Sequence, residues 1–149
     1  MSADTGTDLL AGLAQHLHSA GIVNWAGLSG VAAATGGLPA ITLRQLPSEP
    51  AFCVTLFDYR VTANARLTDS VLGVNVRVRS DAGPSKASLV ASQIFLAWHA
   101  LGRITLSTGL ILTDLQHQSE AQLGPDGNGR HERSSNFYAL LNQPLTTRE

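Results

Sequence analysis

An α+β fold is what this sequence predicts: a mainly antiparallel sheet with two principal helices packed on one face, in one domain over residues 1–149. Three observations predict it. Leu72, Val74, Val76 and Val78 alternate with Gly73, Asn75, Arg77 and Arg79, which is the period of a strand with one dry face and one polar face. Leu9, Leu10, Leu13, Ala14 and Leu17 recur at helical spacing, and so do Val90, Ile94, Ala97, Trp98 and Leu101. Further alternating stretches lie before, between and after these two stripes.

Thr7 suits a helix N-cap and Asp8 the positive end of the helix dipole, so the first helix is predicted over Asp8–Ala20, with Gly21 just past its end. His16 and His18 point to different sides of that helix and are poorly placed to share a metal. Residues 22–37 are poor in charge and rich in small side chains, and read as a connection. A phosphate-cradling loop would need a Lys-Ser/Thr pair after Gly36-Gly37, and none follows. Leu38–Leu46 reads as a strand with Ile41 and Leu43 on one side, closed by a proline-bounded turn at Leu46–Pro50. In Ala51–Tyr59, Phe52, Val54 and Leu56 alternate with Cys53, Thr55 and Phe57. Both sets are largely apolar, which predicts a strand covered on both sides, either within the fold or by another subunit. Arg60–Thr68 is a polar connection, and a meander into the valine-rich strand is the natural pairing.

Asp81-Ala82-Gly83-Pro84 is turn chemistry, and the second helix is predicted over Ser85–Leu101 with Gly102 as its stop. Leu89, Phe95 and Leu96 fall outside its apolar stripe, which predicts burial on more than one side. Trp98 reads as a core anchor and His99 as a surface residue without a catalytic partner. Ile104–Leu106 and Leu110–Ser119 read as strand, broken near Gly109; in the second, Ile111, Thr113, Leu115 and His117 alternate with Leu110, Leu112, Asp114 and Gln116. Leu123–Arg130 is a concentrated turn signal, and Glu132–Leu141 returns as the partner strand, ended by Pro144. Asp126 and Asn128 echo a calcium loop, but the later acidic ligand is missing.

Formal net charge is −1, so no broad electrostatic field argues for nucleic acid or a membrane surface. Charged residues make up 14 % of the chain, against about 25 % in ordinary soluble domains. Hydrophobic residues make up 44 %, yet no apolar run approaches the roughly 20 residues that span a bilayer. Such a chain leaves uncharged surface exposed or covers it with partners, and partners are the favoured reading. The N-terminal stretch MSADTGTDLLAG lacks a basic region and a secretory core, so synthesis inside the cell is expected. Cys53 is the only cysteine; it reads as a small buried hydrophobe rather than a nucleophile, with no neighbouring His or cation to lower its pKa. Carboxylates and histidines are scattered, with no recognisable catalytic motif. No enzyme activity, cofactor or metal is expected.

Where charge is scarce, its placement carries information. Arg77 and Arg79 share the polar side of the valine-rich strand, and Arg130, Glu132 and Arg133 crowd the end of the glycine-rich turn. These five residues are the candidate site, with Arg130 and Arg133, and Arg77 or Arg79, pairing with acidic groups on a neighbouring subunit or other partner. The competing reading is that they brace the hairpin within one subunit or lie on a solvated sheet face.

Two blocks carry a resemblance. One runs from Leu46-Pro47-Ser48 through Val54-Thr55-Leu56 and Tyr59 to Asp69–Arg79; the other is Leu123–Tyr138, including Asn128-Gly129-Arg130-His131-Glu132-Arg133-Ser134-Ser135-Asn136-Phe137-Tyr138. Together they resemble the minor capsid, or tail terminator, proteins of long-tailed bacteriophages, and the order of elements extends the likeness over about Asp8 to Pro144. The resemblance implies a tail-terminator-like fold and a structural role in the virion. It implies a ring, typically a hexamer, that caps the head-proximal end of the tail tube, stops its polymerisation and offers the surface for head–tail joining. The implied partners are other copies of the chain, the major tail tube protein and a head-completion or neck protein. DNA would pass through the lumen without sequence-specific contact, and no membrane is involved. The implied location is the virion tail, after assembly in the host cytoplasm. A head-completion or neck (connector) protein of the same virion is the alternative, and a host-derived ligand-binding domain a third reading.

Overall fold

The computed structural model describes residues 5–30, 33–62, 70–99, 101–127 and 129–142. The part of the expected polar connection beyond residue 62, Asn128 and the tail from Gln143 onward, with the stop expected at Pro144, lie outside the described residues. The first helix, α1, spans Thr5–Ser19 and so begins earlier than its predicted start at Asp8. Thr5 and Gly6 are buried, so tertiary packing holds the extra turn. Thr7 is therefore inside the helix and not its cap; its hydroxyl accepts a 2.8 Å hydrogen bond from Arg44. At the other end Ile22 N–H donates to the Leu17 carbonyl and Gly21 N–H to that of His18, both at 3.0 Å. Gly21 has φ 78°, the left-handed conformation that this helix stop requires.

Strand β1 is Ala40–Leu43, shorter than the Leu38–Leu46 predicted. Arg44 ends it by adopting φ 62°, a region that side chains other than glycine rarely enter. Its guanidinium is held side-on by both oxygens of Asp58, with Nε 2.7 Å from Oδ1 and Nη2 2.9 Å from Oδ2. That fork offsets the local cost, about 1–3 kcal/mol for such a conformation. Strand β2 (Cys53–Thr62) supplies Asp58, and β3 (Ser70–Ser80) follows it as the antiparallel neighbour, the meander expected.

Helix α2 spans Pro84–His99, with proline at its first position, where no N–H is needed. Strands β4 (Ile104–Thr105), β5 (Ile111–Pro125) and β6 (His131–Leu141) complete a six-stranded sheet in the order β1-β2-β3-β6-β5-β4. The sheet is mixed and curled: β1 pairs with β2 in parallel, and the remaining pairings are antiparallel. Strand β5 takes up the first residues of the predicted turn, and the connection proper is tight. Asp126 N–H donates to the Arg130 carbonyl at 2.7 Å, and Arg130 N–H to the Asp126 carboxylate at 2.9 Å.

The expected alternation in β5 fails for a definable reason. A bulge between Leu112 and Asp114 inserts Thr113, so the register shifts by one and both Leu112 and Leu115 are buried. Two more bulges follow, at His117/Ser119 and Gln122/Gly124. One apolar cluster joins Leu9, Leu13 and Leu17 of α1, Val90, Ile94 and Trp98 of α2, Val74, Val76 and Val78 of β3, and Phe137 and Ala139 of β6. Helix α1 touches β1 and β2, and α2 touches β3, β5 and β6. The expectation that α2 is buried on more than one side is corrected: Leu89 and Leu96 are 55 % and 66 % exposed.

Trp98 is 1 % exposed and meets Phe137 edge to face, with ring centroids 4.9 Å apart. Trp98→Ala is expected to remove about 3–5 kcal/mol of stability, through lost burial and the cavity left behind. Chemical denaturation of the variant beside the parent chain measures it.

Candidate interaction surface

Directly opposed residues of an antiparallel pair share a sheet face, so the register sorts the candidate residues. Arg79 lies opposite Cys53 and Glu132, Arg77 opposite Thr55 and Ser134, Asn75 opposite Phe57 and Asn136, and Gly73 opposite Tyr59 and Tyr138. These share the face away from the β3 valines. Arg133 lies opposite Val78, on the other face. The five candidates are therefore not one patch.

On the polar face Arg79 is 4 % exposed. Its Nε donates to the Ala51 carbonyl at 3.0 Å, and its Nη2 to those of Pro47 and Pro50 at 2.6 and 2.8 Å. Beside it Arg130 reaches the same segment, donating to the Ser48 carbonyl at 2.7 Å and to the Glu49 carboxylate. Residues 47–51 thus form a strap fastened by two arginines, beneath which Cys53 and Thr55 are fully buried. Burial pushes the Cys53 thiol above its ordinary pKa, against the opposing pull of Arg79 and of a hydrogen bond with Thr55. A thiol held protonated and out of solvent is unsuited to nucleophilic attack.

Further along the same face the surface opens. Arg77 is 35 % exposed, its Nε lies 3.7 Å from the Glu132 carboxylate, and that Nε makes no hydrogen bond. Asn75 donates to the Ser134 hydroxyl at 2.8 Å and the Asn136 side-chain carbonyl at 3.0 Å; Asn136 in turn donates to the Ser119 hydroxyl at 3.0 Å. Tyr59 lies flat over Gly73, where a Cβ would come within 2.2 Å of the ring, so only glycine leaves it room. Tyr59 is 40 % exposed, and its hydroxyl is pushed up in pKa by partial burial and by Tyr138. Tyrosines, asparagines and one loosely paired arginine on a stiff sheet make an amphipathic surface suited to meeting another protein.

On the opposite face Arg133 donates to Glu120 of β5 through Nε at 2.9 Å and through Nη2, and Nη1 lies 3.4 Å from the Ser88 hydroxyl of α2. It ties the helix start to the hairpin. The acidic partners Glu49, Asp58 and Glu120, and the left-handed Arg44, are residues that sequence reasoning missed; scarcity of charge was the one signal available for them. His99 is exposed and stacks on Phe95 at 5.3 Å. A groove of about 480 Å³ lies beside β1, walled by Trp25, Leu28, Ile41, Leu43 and Pro47, and among the described residues Arg44 is the one charged residue in its lining. Among the described residues no cluster of three or more His, Cys, Asp or Glu side chains could hold a metal ion, and no helix is long and apolar enough to cross a membrane.

Residues 16–143 match a family model described as bacteriophage tail terminator protein. No curated protein matches the chain. A chain in a solved structure titled as the virion of a native gene transfer agent particle is similar, with a TM-score of 0.54 and 17 % identity over 67 % of this chain and 77 % of that one. At that identity the likeness concerns the fold.

Arg79 and Arg77 are expected to differ sharply on substitution. Arg79→Met leaves the Pro47, Pro50 and Ala51 carbonyls without their donor and should cost about 2–4 kcal/mol, whereas Arg77→Ala should stay within about 0.5 kcal/mol; parallel thermal melts measure both. Cys53→Ala should cost about 1–2 kcal/mol through lost packing. In the unsubstituted chain the thiol should resist a thiol reagent until denaturant is added.

Proposed function

This chain belongs to the bacteriophage tail terminator protein family, and on that premise we propose that it caps the head-proximal end of the phage tail tube as a ring and provides the joining surface for the head. The family makes it a structural protein of the virion. The match over residues 16–143 is the observation that carries the finer reading. We take the chain as a single tail-terminator-like domain, with both helices covering one face of the sheet.

The geometry supports a part that works by contact. A head-to-tail contact that closes on itself uses each surface once per subunit, so a completed ring offers the tube nothing further to grow on. Exposed Leu89 and Leu96 on α2, and the Tyr59–Asn75–Arg77 surface, are what such a subunit leaves for neighbours. The proposed partners are further copies of the chain, as a hexamer, with the major tail tube protein on one side and a head-completion or neck protein on the other. DNA passes through the lumen without sequence-specific contact, and assembly takes place in the host cytoplasm.

Of the five charged candidates, Arg77 and Glu132 are proposed for the partner contact. Their pairing at 3.7 Å is loose enough to be exchanged for one with another chain. Arg79, Arg130 and Arg133 are already engaged within the subunit, and their first effect is on its stability.

Phage lacking this protein should give overlong or ragged tails and heads that fail to join, visible by negative-stain electron microscopy of lysates. Adding the purified protein should restore joining. Tails of normal length beside unjoined heads would instead favour the neck protein of the same virion, and normal joined particles would reject both.

A further inference from the structure

The sheet ends in two uncovered edges. Strand β4 pairs with β5 only at Ile111 and Leu112, so the outer edge of β5 from Asp114 to Pro125 carries no strand among the described residues. Side chains from Gln116 to Leu123 are exposed. At the other end β1 pairs with β2 only over Cys53–Leu56, so the outer edge of β2 from Phe57 to Thr62 carries no strand among the described residues. A bare edge presents unpaired N–H and C=O groups, and folded proteins normally guard one with lysine, proline or charge. From Asp114 to Gly124, β5 contains no Lys, Arg or Pro. Its bulges at His117/Ser119 and Gln122/Gly124 do not close the edge but divide it into short regular runs.

We propose that the outer edge of β5 in one copy pairs with the Phe57–Thr62 edge of β2 in a second copy, so that one sheet continues from subunit to subunit. The inference rests on the ring reading above and names the contact that closes the ring. The two edges are different surfaces of the same chain, so the contact is heterologous and repeats around an axis. Length agrees: the regular runs of β5 between bulges are Asp114–His117 and Ser119–Gln122, and the open part of β2 is of similar extent. Charge agrees as well. Asp114 and Glu120 are the carboxylates of β5; Glu120 is held by Arg133 of β6, which leaves Asp114 as the carboxylate for the contact. On the receiving edge Asp58 is held by Arg44, which leaves the exposed Arg60 as the cation facing the incoming strand.

The test uses the full chain and reads assembly by native mass spectrometry and sedimentation across a concentration series. Gln116→Lys with Gln118→Lys takes the formal charge of β5 from −2 (Asp114 and Glu120) to 0 and places lysines on a bare edge. The double variant should keep its melting temperature and raise the concentration for half-assembly at least roughly tenfold. Arg60→Glu alone, on the other edge, should have the same effect, and the two sets combined should restore assembly. A folded double variant that assembles like the parent chain overturns the edge contact and leaves the ring reading in place. Absence of rescue overturns β2 as the receiving edge. A parent chain that never self-associates, alone or on isolated tails, overturns the contact and the ring together.

Discussion

A guanidinium buried in the face of a sheet sets the terms for this fold. Arg79 carries a positive charge, and a buried charge is tolerable only when it is hydrogen-bonded. The strap over residues 47–51 supplies such bonds, from three backbone carbonyls to Nε and Nη2. That coverage lets β2 be apolar on both sides, with Val54 and Leu56 in the main core and Cys53 and Thr55 beneath the strap. The same strand then presents Asp58 to Arg44, which turns the chain away at the end of β1. One charged side chain therefore links the strap, the doubly buried strand and the sheet edge beyond it.

What the residues made legible follows from which forces act locally. The alternation of β3 and of β6 was readable because in both strands a face buried along its length demands a period of two. The phase of β5 was not, because a bulge is set by pairing with β6 and leaves no mark in the pattern of polar and apolar residues. Arg79 was singled out, but its partners are backbone carbonyls that no composition reveals. Arg133 was grouped with Arg77 by proximity of type, and only the register against Val78 separates them. Leu89 and Leu96 read as buried because leucine usually is, yet both are exposed on α2.

With few charges available, four of the seven described arginines have a structural post. Arg44 holds Asp58, Arg79 and Arg130 hold the strap, and Arg133 ties Glu120 to the start of α2. Much of the described charge fastens the subunit internally, and its surface is rich in tyrosine rings, side-chain amides and exposed leucines. Contacts between such surfaces depend on shape and on water exclusion more than on long-range attraction.

The bulges of β5 have an evolutionary side. The strand spends 15 residues where its partner β6 spends 11. In a regular strand one inserted residue sends every later side chain to the wrong face. Here the extra residues are already looped out at three separate points, so a gain or loss of one more is absorbed at the nearest bulge and the frame is restored within a few positions. Strand β5 is thus the stretch of sheet that tolerates drift in length, while β3, flanked by ladders on both sides, has no such slack. Lineages of this fold are free to remodel one rim of the subunit by single-codon steps without disturbing the packing beneath it.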